Sequence, residues 1–136
     1  MNILITGACG VTSRAVARSL RVSSLRSNLR IVGSDVCDNP YGLFEGLYDC
    51  VYPIPHVKDS SYARYIVDIC AREKIEAAII IPELEVVYWS GRRFPAPVAL
   101  PPPKFCEIAV SKKRLYEALA GTGLVPCFGL LQEKCF

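Results

Sequence analysis

Three short segments of this sequence carry residue types and spacings suited to chemistry. The first is Thr6-Gly7-Ala8-Cys9-Gly10-Val11-Thr12-Ser13. An apolar run, Asn2 to Thr6, reaches a glycine there and reads as a buried strand that turns into a helix. Glycine lets the backbone turn sharply and approach a ligand closely. The helix start then offers N–H donors and the positive end of its dipole to an anion. Gly7, Ala8, Cys9 and Gly10 are therefore candidate substrate-binding residues, the alternative being that Gly7 and Gly10 only make the turn. A complete dinucleotide fingerprint wants a third glycine where the helix crosses the sheet; Ser13 stands in that position. Asp35 ends the next apolar run, where a nicotinamide dinucleotide would place its ribose acceptor. With the glycine set incomplete, a strand-end or loop-capping aspartate is the better reading.

The second segment is Pro82-Glu83-Leu84-Glu85, directly after the apolar run Ala77 to Ile81. Ligands of open parallel sheets bind outside the carboxyl ends of the strands. Glu83 is placed to bind an amine or hydroxyl of a substrate, or equally to act as an acid favoured by the dipole of the following helix. Glu83 and Glu85 fall on different sides of that helix, so they are not a two-carboxylate catalytic pair. The third segment is Ser111-Lys112-Lys113-Arg114, whose lysines begin a late helix and are ordinarily solvated. The sequence holds no phosphate-loop signature and no nucleophile elbow. No tyrosine is followed by lysine four residues on, and one histidine, His56, in a proline-flanked loop makes a poor base for Ser-His or Cys-His catalysis.

Alternating elements must hold these segments. Thr12 or Ser13 is expected to cap a helix to about Ser24, with Ala15, Val16 and Leu20 inward and Arg14, Arg18 and Arg21 on the solvated side. Leu29 to Ser34 reads as a strand, and Asp38-Asn39-Pro40-Tyr41-Gly42 as a loop. Asp49 to Ile54 reads as a short strand that Pro53 and Pro55 limit to an edge or a strand end. Asp59 is placed to cap a helix carrying Tyr62, Ile66, Ile69 and Cys70 to Lys74. Ala77 to Ile81 has the unbroken apolar character of a strand covered on both faces. A short helix from Glu83 to Ser90, a fifth strand at Ala96 to Leu100, and an extended Pro101-Pro102-Pro103 connection follow. Helices are expected over Lys104–Val110 and Ser111–Ala120, the second ended by Gly121, Gly123 and Pro126. The result is an α/β, Rossmann-like three-layer domain, its sheet mostly parallel with about five strands and with Ile3–Ile5 and Ile79–Ile81 central and adjacent.

The chain has 136 residues, enough to bury roughly 65–70% of its unfolded surface. It is 51% hydrophobic and 21% charged, which suits a small α/β domain and argues against disorder. A net charge of +3 is too mild to imply nucleic acid or an anionic membrane. Seven cysteines (9, 37, 50, 70, 106, 127 and 135) include no C-x-x-C pair and stand with one histidine, so no metal site is expected. Cys50, Cys70 and Cys106 lie in apolar segments as small hydrophobes, and reduced thiols point to the cytoplasm. The start of the sequence does not read as a secretory leader, and no apolar run reaches a membrane span.

Taken together, the segments resemble the N-terminal domain of ATP-grasp enzymes. Ile3 to Gly10 looks like the opening of carbamoyl-phosphate-synthase-like members. Ile80-Ile81-Pro82-Glu83-Leu84-Glu85 is similar to the strand-end motif of the formate-dependent glycinamide ribonucleotide transformylase, in which the first glutamate touches substrate. Ser111-Lys112 through Gly123-Leu124-Val125-Pro126 looks like the linker helix leading into the ATP-grasp fold. The resemblance implies a pre-ATP-grasp domain over residues 1–110 and a linker helix at the start of an ATP-grasp region over 111–136. It implies that Glu83 and the Gly7–Gly10 turn bind substrate and that Lys112 contacts ATP. The implied reaction is ligation of a carboxylate to an amine through an acyl phosphate, with ATP and Mg2+ as cofactors of the full-length enzyme. The ATP-grasp region that supplies most ATP contacts and the magnesium-binding acids is expected elsewhere, on a missing segment or a partner chain. Two other readings compete with this one. One is a nicotinamide-dinucleotide-binding domain of an oxidoreductase or epimerase. The other is a non-catalytic interaction module, using Val86, Val87, Tyr88 and Trp89 as an apolar patch that would also support a homodimer.

On the ATP-grasp reading, the 136-residue chain alone does not hydrolyse ATP and binds it no more tightly than about millimolar. Titration calorimetry on the purified chain checks this, and micromolar affinity would contradict it.

Overall fold

A computed structural model describes residues 1–24, 28–37 and 41–125. Pro126, Cys127, Cys135 and the expected loop residues Asp38, Asn39 and Pro40 lie outside the described residues. The described elements, in chain order, are β1 (Asn2–Thr6), α1 (Val11–Val22), β2 (Arg30–Asp35), α2 (Tyr41–Phe44), β3 (Cys50–Pro53), α3 (Tyr62–Arg72), β4 (Ala77–Ile79), α4 (Glu83–Ser90), α5 (Pro103–Ala109) and α6 (Lys112–Leu119).

β1 organises the sheet because its side chains alternate between two apolar layers. Ile3 and Ile5 point to one face, where they pack with Ile31, Leu47 and Tyr48 against Ala17, Val16 and Leu20 of α1. Leu4 points to the other face, where Val32 and Ala78 join Tyr62, Ile66 and Ile69 of α3 and Trp89 of α4. Helices thus cover both faces of an α/β domain. The sheet is wholly parallel, in the order β3-β2-β1-β4. Leu4 stands opposite Val32 on one side and Ala78 on the other. The chain lays β2 and β3 outward from β1 and then crosses to β4 on β1's other side. The strand order therefore reverses between β1 and β4, and that reversal opens a crevice at their carboxyl ends.

Several expectations change. Among the described residues the sheet has four strands, not five: Ala96–Leu100 contributes a single bridge, Val98 to Ala78, with the Ala78 N–H donating to the Pro97 carbonyl at 2.9 Å. Pro95, Pro97 and Pro101 to Pro103 lack the N–H groups that a ladder needs. β4 is consequently the outer hydrogen-bonded strand beside β1 rather than a central one, and Ile80 and Ile81 leave the ladder to reach Pro82. Tyr41 and Gly42, read as loop, belong to the short α2. β3 is an edge strand, as its prolines require.

The helix starts also differ. Neither Thr12 nor Ser13 caps α1; Gly10 takes the cap position without a side-chain bond. Ser13 is buried, and its hydroxyl donates to the Thr6 carbonyl at 3.0 Å. Ala15 is exposed and Ala17 fills the core position instead. The arginines of α1 are paired, not merely solvated: Arg14 with Glu45, and Arg21 with Asp49 at 2.8 Å while also donating to the Leu47 carbonyl. Asp59 caps the turn before α3, accepting from the Ser61 N–H at 2.8 Å, and Ser61 is the cap residue. Ser111 caps α6 as read, accepting from the Arg114 N–H, and Gly121 and Gly123 follow it with φ of 77° and 75°.

Leu4 is fully buried at the centre of this packing. Leu4→Ala is expected to cost about 2–5 kcal/mol of folding stability, measured by urea denaturation.

Candidate functional site

The carboxyl ends of β1, β2 and β4 surround a crevice of about 230 Å³ lined by Gly7, Asp35, His56, Pro82, Glu83 and Glu85, among others. Gly7 has a φ of 66°, and a β-carbon placed on it would lie 2.6 Å from the Pro82 side chain. Only glycine satisfies both demands. The turn after β1 is thereby packed directly on the residue that starts α4. Pro82 takes the cap position of α4, and the first turn of that helix carries Glu83 and Glu85.

The two glutamates do face different sides. Glu83 is exposed at the crevice rim, while Glu85 is only 6% exposed. The Tyr62 hydroxyl donates to Glu85 Oε2 at 2.8 Å and accepts from the Trp89 indole N–H at 3.0 Å. The Thr6 hydroxyl also bonds Glu85 and accepts the Ile81 N–H at 3.3 Å. Burial raises the Glu85 carboxyl above the usual carboxylate range, and the charge of Asp35 adds to this; the Tyr62 and Thr6 hydrogen bonds pull the other way. Burial, then Glu85, raises Tyr62 well above an ordinary phenol. A carboxyl that protonates readily therefore sits at the foot of the crevice.

The glycine turn itself is largely committed. The Ala8 N–H donates to the Ser34 carbonyl at 3.1 Å, the Gly10 N–H to the Gly7 carbonyl at 2.8 Å, and the Cys9 N–H to Asp35 Oδ2 at 2.7 Å. A phosphate cradle would need these donors. Asp35, 8% exposed, also accepts the Cys37 N–H on Oδ1 at 2.9 Å. It thus acts as the loop-capping aspartate that the incomplete glycine set favoured, each of its oxygens accepting one backbone N–H.

Gly7 and Glu83 share this crevice, with Ala8, Cys9 and Gly10 continuing the same turn. Lys112 does not join them: it is exposed on the first turn of α6 and lines none of the described cavities near the strand ends. Sequence position assigns no binding role to Glu85, Tyr62 or His56. The place of Glu85 four residues before Trp89 on an apolar helix does signal its burial. Trp89 does not join a surface patch, being 4% exposed with its ring tilted against Tyr62, and Tyr88 stacks edge-on with both Tyr62 and Trp89. Val86 and Val87 instead line an apolar groove of about 310 Å³ with Phe105 of α5. A cavity of about 600 Å³ beside β3 is walled by Arg64, Asp68 and Arg72, but Arg64 pairs with Asp68 at 3.8 Å and Arg72 lies over the Tyr52 ring. Among the described residues no helix is long and apolar enough to cross a membrane.

Compared with known proteins, the chain matches no family model and no curated sequence.

Because Glu85 binds its proton more tightly in the folded chain than its ordinary value of 4.5, its contribution to stability is complete below that pH and is lost as pH rises above it. Glu85→Gln removes this loss. The stability difference between variant and parent is expected to shift in the variant's favour as pH rises from about 4.5. Denaturation curves between acid and neutral pH check the direction.

Proposed function

We propose that the crevice binds the amine end of a small polar substrate, and that the domain is the Rossmann-like substrate-binding part of an ATP-grasp carboxylate–amine ligase. The observation that carries this is the gathering of Asp35, Glu83 and Glu85 around one glycine turn, with no lysine or arginine in the crevice lining. Such a lining repels phosphates and carboxylates and attracts a protonated amine. A hydrogen bond to a charged group of this kind contributes about 1.5–3 kcal/mol. Glu83, solvated at the rim, supplies the charge. Glu85, held by Tyr62 and Thr6, offers an oxygen deeper in, and Asp35 keeps the turn in place.

On this reading residues 1–110 form the substrate wall and 111–136 lead towards the catalytic region. Among the described residues no group of three or more His, Cys, Asp or Glu is placed to hold a metal ion. The role proposed for this chain is substrate binding, and Lys112 would meet ATP only when carried against an ATP-grasp region.

The test is an NMR titration of the isotope-labelled chain with glycinamide, acetate and NAD+ in parallel. Glycinamide is expected to move the amide signals of Gly7, Cys9 and Leu84, and acetate to leave them in place. Glu83→Gln should weaken the glycinamide response about tenfold, near 1.4 kcal/mol, with the melting temperature unchanged. NAD+ moving the same signals at lower concentration, or glycinamide acting elsewhere, would overturn the reading.

A further inference from the structure

We propose that Cys9 and Cys37 form a reversible disulfide beside the crevice, in exchange with a small-molecule disulfide of the glutathione class. Cys9 lies in the turn between β1 and α1, and Cys37 lies two residues beyond the end of β2. The parallel pairing of β1 with β2 brings both strand ends to the same edge. Asp35 then binds the two residues to one carboxylate, through the Cys9 N–H at 2.7 Å and the Cys37 N–H at 2.9 Å. A disulfide needs its α-carbons roughly 4.4–6.8 Å apart, and the shared Asp35 carboxylate keeps the two backbone segments close enough for small adjustments to reach that range. The Cys37 side chain also lies near enough to Cys9 to raise its thiol.

The remaining described cysteines are placed differently. Cys70 and Cys106 are buried, and Cys50 lies on β3. Of the pair, Cys37 is exposed and Cys9 is partly buried. The Cys9 thiol is pushed up to about 12, by burial first and then by the neighbouring Cys37 and the charge of Asp35. Cys37 is therefore the entering thiol and Cys9 the resolving one.

The steps balance without a metal or a second oxidant. Cys37 gives its proton to solvent, and its sulfur attacks one sulfur of the small disulfide. That S–S bond breaks, and one small thiolate leaves and takes up a proton. The Cys9 sulfur, losing its proton to solvent, then attacks the Cys37 sulfur of the mixed disulfide. The new Cys9–Cys37 bond forms as the second small thiolate leaves and is protonated. The chain is oxidised by two electrons and the small disulfide is reduced to two thiols; excess thiol reverses both steps. The product fixes the glycine turn covalently to the end of β2. This inference does not depend on what the crevice binds.

The experiment incubates the full chain with oxidised glutathione, blocks remaining thiols with N-ethylmaleimide, and maps tryptic peptides by mass spectrometry without reduction. The expected product joins Met1–Arg14 to Ile31–Lys58, with fragment ions placing the link on Cys37 and not Cys50. It should disappear with dithiothreitol and form faster as pH rises. Cys9→Ser should instead accumulate glutathione on Cys37. A wild-type chain that keeps glutathione on Cys37 while Cys9 is alkylated, or that links Cys50 instead, would overturn the proposal.

Discussion

The Asp35 carboxylate ties the carboxyl end of the sheet together. It ends β2, accepts one N–H from the turn after β1 and another from the loop after β2, and stands 8% exposed. Each bond satisfies a backbone donor that would otherwise be costly to bury. The Asp35 carbonyl takes the Ile54 N–H as well, at 2.9 Å, which draws in the chain leaving β3. Three consecutive connections therefore converge on one residue. The position of the glycine turn, and with it the seating of Gly7 on Pro82, follows from this arrangement.

A second polar system lies under the crevice. The chain Trp89–Tyr62–Glu85–Thr6 links α4, α3 and β1 through side chains that are almost wholly buried. A partly satisfied network of this kind would be worse than an apolar core, and a satisfied one specifies how its helices sit. Tyr62 carries both functions at once: its ring lies among Ile66, Ile69 and Trp89, and its hydroxyl serves two partners.

Strong local patterns made much of this legible from sequence. β1, the Glu83–Ser90 helix and the Ser111 cap are read correctly because an apolar run ending at glycine, an acidic first turn and a capping serine are all local signals. The fifth strand failed because pairing is decided between strands, and the surrounding prolines left Val98 one bridge. Ser13 failed as a cap because its hydroxyl met the Thr6 carbonyl, a contact that exists only after α1 packs on β1. The site was half visible. The glycine turn and Glu83 follow from position at strand ends, whereas the burial of Glu85 depends on where α3 delivers Tyr62.

The two margins of the sheet share one property. β3 ends in Pro53 with Pro55 close behind, and β4 is flanked by a segment that pairs once, through Val98, between Pro97 and Pro101. An unprotected parallel sheet offers rows of N–H and C=O groups on which further strands can grow. Proline withholds the donor and bends the chain away on both sides. Growth of the sheet by further strands is thereby disfavoured at both margins.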